Sequence, residues 1–324
     1  MTTKPNSTQG NTHACRGGRD WQLNIWHRMA VSNAVQQTFF RLQIIRNTAM
    51  PSLAPTKYYL RAEEGLALRA LEARVGQKTL ILEGPPGTGK TAFSQFLAER
   101  WGAQYLYLLS HNWLSDEELF VGVHVGRVAA GVEHPEEAYQ LGILARAAVA
   151  SQAGPVVICL DEIDKAPQRA EALLLDFLQH GRVFGPTGEV WQAKCSNLTV
   201  VLTTNGVRPL MEATLRRGLR VKMTFLPPAT EADIVRQATG APMGAIRCAV
   251  RMAGVIRKGG ATAPSLQEIR NLMGDLAIAH DAADVRRLIE GWLCKEPEDW
   301  QALTAAMGDT PEAILWGEYR RASK

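Results

Sequence analysis

The sequence contains no apolar run of about 18 residues or more, so no membrane-spanning helix is expected. Its five cysteines are an odd number and show no CxxC spacing, which argues against a disulfide framework or a zinc site. Free, scattered cysteines of this kind favour a reducing compartment, and a cytoplasmic location is predicted. The net charge of +4 is modest and forms no basic stripe or cluster, so a nucleic-acid partner is less expected than a protein partner.

The composition is that of an ordinary globular protein. Hydrophobic residues make up 46% of the 324 residues and charged residues 21%, which excludes a disordered chain. A chain of this length exceeds what one small hydrophobic core usually covers, so two domains are expected.

The first fifty residues differ in charge from the rest of the chain. Asp20 is their only acidic residue, against six lysines and arginines. Three interpretations stay open: a transit peptide, a partner-binding arm, or translated sequence upstream of a true start at Met50. We favour an extension over residues 1–56 that is disordered or dispensable.

Strand and helix patterns alternate over residues 57–226. Short apolar runs predict strands at residues 78–83, 104–109, 155–160, 198–203 and 221–225. Helical spacing predicts helices at residues 58–75, 90–102, 136–152 and 167–180. This alternation predicts an α/β fold, an αβα sandwich with a parallel sheet. After Pro227 the strand pattern stops, and residues 227–324 are predicted to form an all-α lid and C-terminal helices.

The stretch GPPGTGKT follows the first predicted strand and opens a helix. Backbone N–H groups of such a loop wrap a β-phosphate, and the helix N-terminus adds partial positive charge. Lys90 is predicted to reach the β- and γ-phosphates of ATP, and the Thr91 hydroxyl to bind Mg²⁺. The predicted nucleotide-binding residues are Gly84, Pro85, Pro86, Gly87, Thr88, Gly89, Lys90, Thr91 and Ala92.

Polar residues stand at the ends of two later strands. Asp161 follows the run VVICL and is predicted to hold Mg²⁺, and the adjacent Glu162 to polarise an attacking water. Asn205 ends LTVVLTTN and is predicted to align that water. Three arginines follow in EATLRRGLRVKM at positions 216, 217 and 220, and an arginine supplied to a neighbouring subunit can stabilise charge on a γ-phosphate.

The order GPPGTGKT, LDEIDKA, TTN and LRR resembles the AAA+ ATPases. Three further segments resemble the MoxR and dynein-related branch: ILEGPPGTGKTAF, SDEELFVG, and PQRAEALLLDFLQHGRVFGPTGEVW, which fits a β-hairpin around residues 186–188. The resemblance covers roughly residues 57–280 and implies that the αβα sandwich is of the P-loop NTPase kind.

The resemblance implies a role for several residues. Lys90 and Thr91 correspond to Walker A, Asp161 and Glu162 to Walker B, and Asn205 to sensor 1. Arg217 corresponds to the arginine finger, with Arg216 as the alternative. The lid of the family usually carries an arginine shortly after Pro-Ser, called sensor 2. Here PSLQEIRNL places Gln267 at that point and Arg270 one turn later, so Arg270 is the candidate nucleotide contact.

The expected function is a Mg²⁺-dependent ATPase that forms a homo-oligomeric ring, expected to be a hexamer. Family resemblance implies chaperone-like remodelling or activation of a protein client, including proteins with a von Willebrand A domain. The alternative is a nucleic-acid-directed AAA+ motor or loader, which would need basic loops facing a central pore. A scaffold that binds ATP without turnover is a third class, and the intact Glu162 argues against it.

Overall fold

The computed structural model describes residues 58–131 and 138–321. The described residues, from Tyr58 onward, form one compact unit. The predicted N-terminal extension, residues 1–56, lies outside the described residues and stays a prediction.

A five-stranded parallel sheet forms the centre of the first half of this unit. Its strands are β1 (Lys78–Glu83), β2 (Gln104–Leu109), β5 (Val156–Asp161), β8 (Leu198–Thr204) and β9 (Leu219–Lys222). They lie in the order β2-β5-β8-β1-β9, and every neighbouring pair is parallel. Every residue of β5 and β8 is buried, which is typical of strands covered on both faces.

Helices cover both faces of this sheet. On one face, α1 (Ala62–Ala73) and α2 (Lys90–Trp101) contribute buried side chains to a core with Leu80 and Val201. On the other face, α5 (Ile143–Ala153) and α6 (Gln168–His180) pack in a separate core with Ile158. The predicted αβα sandwich is therefore confirmed.

Two predicted elements differ from the structure. The helix predicted over residues 136–152 is instead a strand, β4 (Tyr139–Leu141), followed by α5; residues 132–137 lie outside the described part. β4 pairs antiparallel with β3 (Val121–Val123), and this non-local pairing overrides the local helical pattern. Gly142 lies between the two elements. A Cβ at this position would lie 2.6 Å from the backbone of Leu119, so this close approach requires glycine.

The last strand of the sheet also differs from its prediction. The predicted range 221–225 is shifted, because β9 pairs with β1 from Leu219 onward. The final contact is a hydrogen bond from the Met223 N–H to the Glu83 carbonyl at 2.7 Å. Residues 223–227 then leave the sheet.

The predicted β-hairpin around residues 186–188 is present. It consists of β6 (Arg182–Phe184) and β7 (Val190–Gln192). Tyr139 of β4 packs edge-on against Trp191 at 6.1 Å, and its hydroxyl donates to Glu189 at 2.6 Å. The hairpins β3–β4 and β6–β7 therefore contact each other. Three short helices complete this part: α3 (Asp116–Leu119), α4 (Val125–Ala129) and α7 (Glu212–Leu215).

The rest of the described chain is helical, as predicted. It comprises α8 (Pro228–Thr239), α9 (Met243–Gly259), α10 (Leu266–Asp275), α11 (Ala282–Trp292), α12 (Pro297–Met307) and α13 (Pro311–Arg321). Their apolar faces form one core of their own, centred on Ile246, Leu272 and Ile289. Among the described residues, no helix combines the length and apolar character needed to cross a bilayer.

Arg257 connects this helical part to the segment that enters it. Its guanidinium lies 3.9 Å from the centre of the Phe225 ring and forms an ion pair with the buried Glu231 of α8 at 2.8 Å. Its Nε also donates to the Pro264 carbonyl at 2.8 Å, just before α10 begins. One buried cation therefore holds three segments together, and removing it would leave the Glu231 carboxylate buried without a counter-charge.

We expect Arg257→Met to lower the free energy of unfolding by about 3 kcal/mol, because breaking a buried ion pair strands its partner charge. Urea unfolding followed by circular dichroism measures this loss. The matched control is Arg287→Met, which removes the exposed Arg287–Asp284 pair and should cost less than about 0.5 kcal/mol. Equal losses in the two variants would contradict the role given to Arg257.

Candidate functional site

The glycine-rich loop, residues 84–89, runs from the end of β1 to the start of α2. Gly87 and Gly89 have φ angles of 77° and 92°, a left-handed region that glycine adopts without steric cost. A Cβ at Gly84 would lie 2.2 Å from the Met223 carbonyl oxygen, so only glycine fits beside the end of β9. The loop is further fixed by Arg61, whose Nη2 donates to the Thr88 carbonyl at 2.7 Å. No sequence pattern indicated that contact.

Lys90, the first residue of α2, folds back over this loop. Its Nζ donates to the Gly84 carbonyl at 2.7 Å and to the Pro85 carbonyl at 2.9 Å. Burial lowers the pKa of the Lys90 ammonium, and the negative charges of Asp161 and Glu162 act in the opposite direction. The loop therefore carries a buried amine, held only by neutral carbonyls and able to turn toward an anion.

Thr91 and Asp161 meet beside the loop. The Thr91 hydroxyl lies 3.0 and 3.1 Å from the two Asp161 carboxylate oxygens. Two further hydroxyls donate to this carboxylate: that of Tyr107, at 3.0 Å, and that of Thr203. A hydroxyl beside a carboxylate is the hard oxygen donor set that Mg²⁺ prefers, so these residues fit the predicted metal.

Sequence analysis did not identify Tyr107 and Thr203 as part of the site. Burial, and then the Asp161 charge, raise the pKa of the Tyr107 phenol, which therefore stays a hydrogen-bond donor. Thr203 lies two residues before Asn205, and Tyr107 lies within β2, a strand whose end carries none of the predicted site residues. The parallel order of β2, β5 and β8 brings them to Asp161.

Glu162 is held in an unusual backbone conformation. With φ 53° and ψ 46°, it is the one non-glycine residue of the described chain with positive φ. Its N–H donates to the Thr203 hydroxyl at 2.8 Å. Its Oε1 accepts from Asn205 Nδ2 at 2.7 Å, and its Oε2 lies 2.6 Å from Lys165 Nζ. The predicted catalytic residues Glu162 and Asn205 are therefore in direct contact.

Asp164 supports the segment that carries Asn205. This buried carboxylate accepts hydrogen bonds from the backbone N–H groups of Asn205 at 3.2 Å and Val207 at 2.9 Å. It fixes the turn after β8 and so the position from which the Asn205 side chain reaches Glu162.

The three arginines of residues 216–220 point to different partners. Arg220 binds both carboxylate oxygens of Glu83 at 3.0 and 3.1 Å. Arg217 donates to the Ala213 carbonyl at 2.6 Å and to Gln179 at 2.8 Å. Arg216 pairs with Glu212 and remains 75% exposed. The hydrogen bonds of Arg216 and Arg217 lie within α6 and α7 rather than at the glycine loop.

The helical part approaches the glycine loop at the start of α10. A Cβ on Gly87 would lie 2.2 Å from the Cβ of Ser265, so the two segments are in close contact. Ser265 caps α10 by accepting from the Glu268 N–H at 3.3 Å. Gln267 and Arg270 follow on the same helix and contact each other at 3.2 Å. Their predicted roles toward a nucleotide stay predictions.

Residues 79–218 match the family model of the AAA domain, dynein-related subfamily. NorQ from Paracoccus denitrificans is 28% identical over 185 residues, which span 55% of this chain and 64% of NorQ. These matches confirm the resemblance to the MoxR and dynein-related branch of AAA+ ATPases. A proline-to-glycine mutant of RuvB from Thermotoga maritima superposes with a TM-score of 0.46 at 16% identity, covering 81% of this chain and 86% of that one. That likeness is too distant to indicate function.

We expect Thr203→Val to lower the free energy of unfolding by about 1–3 kcal/mol, because it leaves the Glu162 N–H without its partner and removes one of the hydrogen bonds to the buried Asp161 carboxylate. Urea unfolding measures the loss. Thr199→Val, at another buried threonine of β8, is the control and should cost less. Equal losses would show that the Thr203 hydroxyl is not a structural bridge.

Proposed function

We propose that this protein is a Mg²⁺-dependent ATPase that works on a protein partner. The match of residues 79–218 to the family model of the AAA domain, dynein-related subfamily, supports this proposal. The observation that carries this proposal is the meeting of three groups at one edge of the sheet. These are the amine of Lys90 over the glycine loop, the Thr91–Asp161 oxygen pair, and the Glu162 carboxylate.

Binding is assigned to the glycine loop and the start of α2. Backbone N–H groups of residues 87–92, which follow Pro85 and Pro86, would surround the β-phosphate, and the Lys90 amine would exchange its carbonyl partners for phosphate oxygens. Thr91 and Asp161 would hold Mg²⁺. The ion would neutralise charge on the phosphate oxygens. Arg270 is retained as a candidate nucleotide contact from the lid.

Hydrolysis is assigned to Glu162 and Asn205. Glu162 accepts a proton from a water whose oxygen attacks the γ-phosphorus, while the bond between that phosphorus and the bridging oxygen of ADP breaks. Asn205 orients the Glu162 carboxylate through the contact at 2.7 Å. The products are ADP and inorganic phosphate.

A ring of protomers, expected to be a hexamer, would bring an arginine of one protomer to the γ-phosphate bound by its neighbour. Arg217 is the proposed arginine finger for the neighbouring protomer, with Arg216 as the alternative. The exposure of the Arg216 and Glu212 side chains supports a role for this segment at a protomer contact. Arg220 is set aside, since Glu83 of its own chain already binds it on both oxygens.

The proposed client is a protein, for example one with a von Willebrand A domain. The proposed location is the cytoplasm. Chaperone-like activation of a partner rests on the resemblance to the MoxR branch, with which the similarity to NorQ agrees. A motor that acts on nucleic acid stays the alternative, and retention on nucleic acid with a steep salt dependence would be needed to support it.

Lys90→Met is expected to weaken the affinity for a fluorescent ATP analogue about thirtyfold, equivalent to ~2 kcal/mol, because it removes the buried charge that faces the phosphates. A fluorescence titration in the presence of Mg²⁺ measures this. Lys194→Met, at an exposed lysine before β8, is the control and should bind normally. Unchanged affinity in Lys90→Met would remove Lys90 from the binding site.

A mixing experiment tests the shared active site. Specific ATPase activity should rise with protein concentration, because each site needs a neighbour. Glu162→Gln and Arg217→Ala should each lose most activity alone, and mixtures of the two should regain part of it. Mixed rings contain some sites with an intact Glu162 facing an intact Arg217.

The same mixtures distinguish the three arginines. If Arg216→Ala is rescued by Glu162→Gln and Arg217→Ala is not, Arg216 is the finger. Arg220→Ala is the matched control, because both oxygens of Glu83 bind the Arg220 guanidinium, and mixing should not raise the activity of this variant. Activity that is independent of concentration, with no rescue in any mixture, would refute the ring.

A further inference from the structure

Lys165 lies three residues after Glu162, at the end of a one-turn 3-10 helix, Ile163–Lys165. The Lys165 N–H donates to the Glu162 carbonyl at 2.9 Å and closes this turn. The side chain then returns to Glu162, where Nζ lies 2.6 Å from Oε2. Lys165 is thus tied to Glu162 by both its backbone and its side chain.

The Glu162 carboxylate has a named partner on each oxygen. Oε1 accepts from Asn205 and Oε2 pairs with Lys165. The side chain is 26% exposed, and its backbone is fixed in the left-handed region by the bond to Thr203. A base that takes a proton from water needs a lone pair directed at that water. In this arrangement, the Lys165 charge lies against Oε2, the oxygen of Glu162 that Asn205 does not contact.

The two partners differ in how firmly they are held. The segment of Asn205 is anchored by the buried Asp164, whereas the Lys165 side chain is 47% exposed. Exposed ion pairs contribute little to stability and exchange readily with water. The Lys165 contact is therefore the one that can open without disturbing the sheet.

We propose that Lys165 is a positioning residue that restrains the Glu162 carboxylate, and that water activation requires this ion pair to open. The inference rests on the proposed role of Glu162 in hydrolysis. Lys165 itself contacts neither water nor phosphate in this proposal. It limits the fraction of time in which Oε2 is free, and so sets the basal rate.

The first test compares steady-state ATP hydrolysis of Lys165→Met, Lys165→Arg and the wild type. Lys165→Met keeps the length of the side chain and removes its charge. We expect it to raise kcat about two- to fivefold, the range that corresponds to the strength of an exposed pair, with unchanged affinity for a fluorescent ATP analogue. Lys165→Arg keeps the charge and should stay closer to the wild-type rate.

The control for this comparison is Arg321→Met. It removes another exposed pair with i,i+3 spacing, Arg321–Glu318 at 2.7 Å, on the last helix. Its kcat should equal that of the wild type. An increase in both variants would indicate a general effect of charge removal and would overturn the assignment to Lys165.

The second test needs no nucleotide and no activity. Amine acetylation, followed by mass spectrometry of peptides, measures how free each lysine is. Lys165 should react about two- to fivefold faster in Glu162→Gln than in the wild type, since the neutral amide holds the ammonium less strongly. Lys258, on α9, is the internal control and should react equally in both proteins.

The outcomes separate this inference from the proposed function. If Glu162→Gln abolishes hydrolysis but Lys165→Met leaves kcat unchanged or lowers it, the restraint is wrong and the ATPase assignment stands. Equal acetylation of Lys165 in the wild type and Glu162→Gln would also overturn the restraint. If Glu162→Gln hydrolyses ATP at the wild-type rate, the proposed function itself fails at Glu162.

Discussion

The active edge of the sheet depends on one buried carboxylate, that of Asp161. Only 8% of this residue is exposed, and burying a charge is costly unless it is hydrogen-bonded. The partners that meet this requirement come from three different elements: Tyr107 from β2, Thr91 from α2 and Thr203 from β8. Satisfying one charge therefore fixes the relative positions of two neighbouring strands and of the helix that follows the glycine loop. The predicted metal site is a consequence of this packing, because the hydroxyl of Thr91 and the carboxylate are brought together.

Thr203 connects this charge to the strained backbone of its neighbour. Its hydroxyl donates to Asp161 and accepts the N–H of Glu162, so a single side chain supports the residues proposed to bind the metal and to act as the base. A left-handed glutamate costs free energy and persists where its surroundings hold it in place. Strain of this kind, located beside Asn205 and Lys165, is consistent with a residue placed for chemistry rather than for the stability of the fold.

A ring would place Arg216 or Arg217 at the site of a neighbouring protomer. In the single chain, both arginines contact residues of their own chain. Arg217 contacts Gln179 and Arg216 contacts Glu212, so a protomer that joined a neighbour would exchange these contacts for new ones. The start of α10 contacts the glycine loop through Ser265 and Gly87, and Arg257 ties the same region to α8. A movement of the helical part would therefore displace the glycine loop directly. This connection gives a physical route by which nucleotide turnover could act on a client.

The sequence alone determined those features that local pattern encodes. Apolar runs bounded by glycine marked the strands, GPPGTGKT marked the loop, and strand ends marked Asp161, Glu162 and Asn205. The tertiary structure decided what depends on partners distant in the chain. It made residues 139–141 a strand, because β3 offers a pairing edge, and it began β9 at Leu219, because β1 pairs there. It also places Tyr107 and Thr203 beside Asp161, and Lys165 beside Glu162. Each of the three arginines of residues 216–220 gains its partner in the same way. Hydrogen bonds between segments far apart in sequence leave no periodic signal, so only the folded chain reveals them.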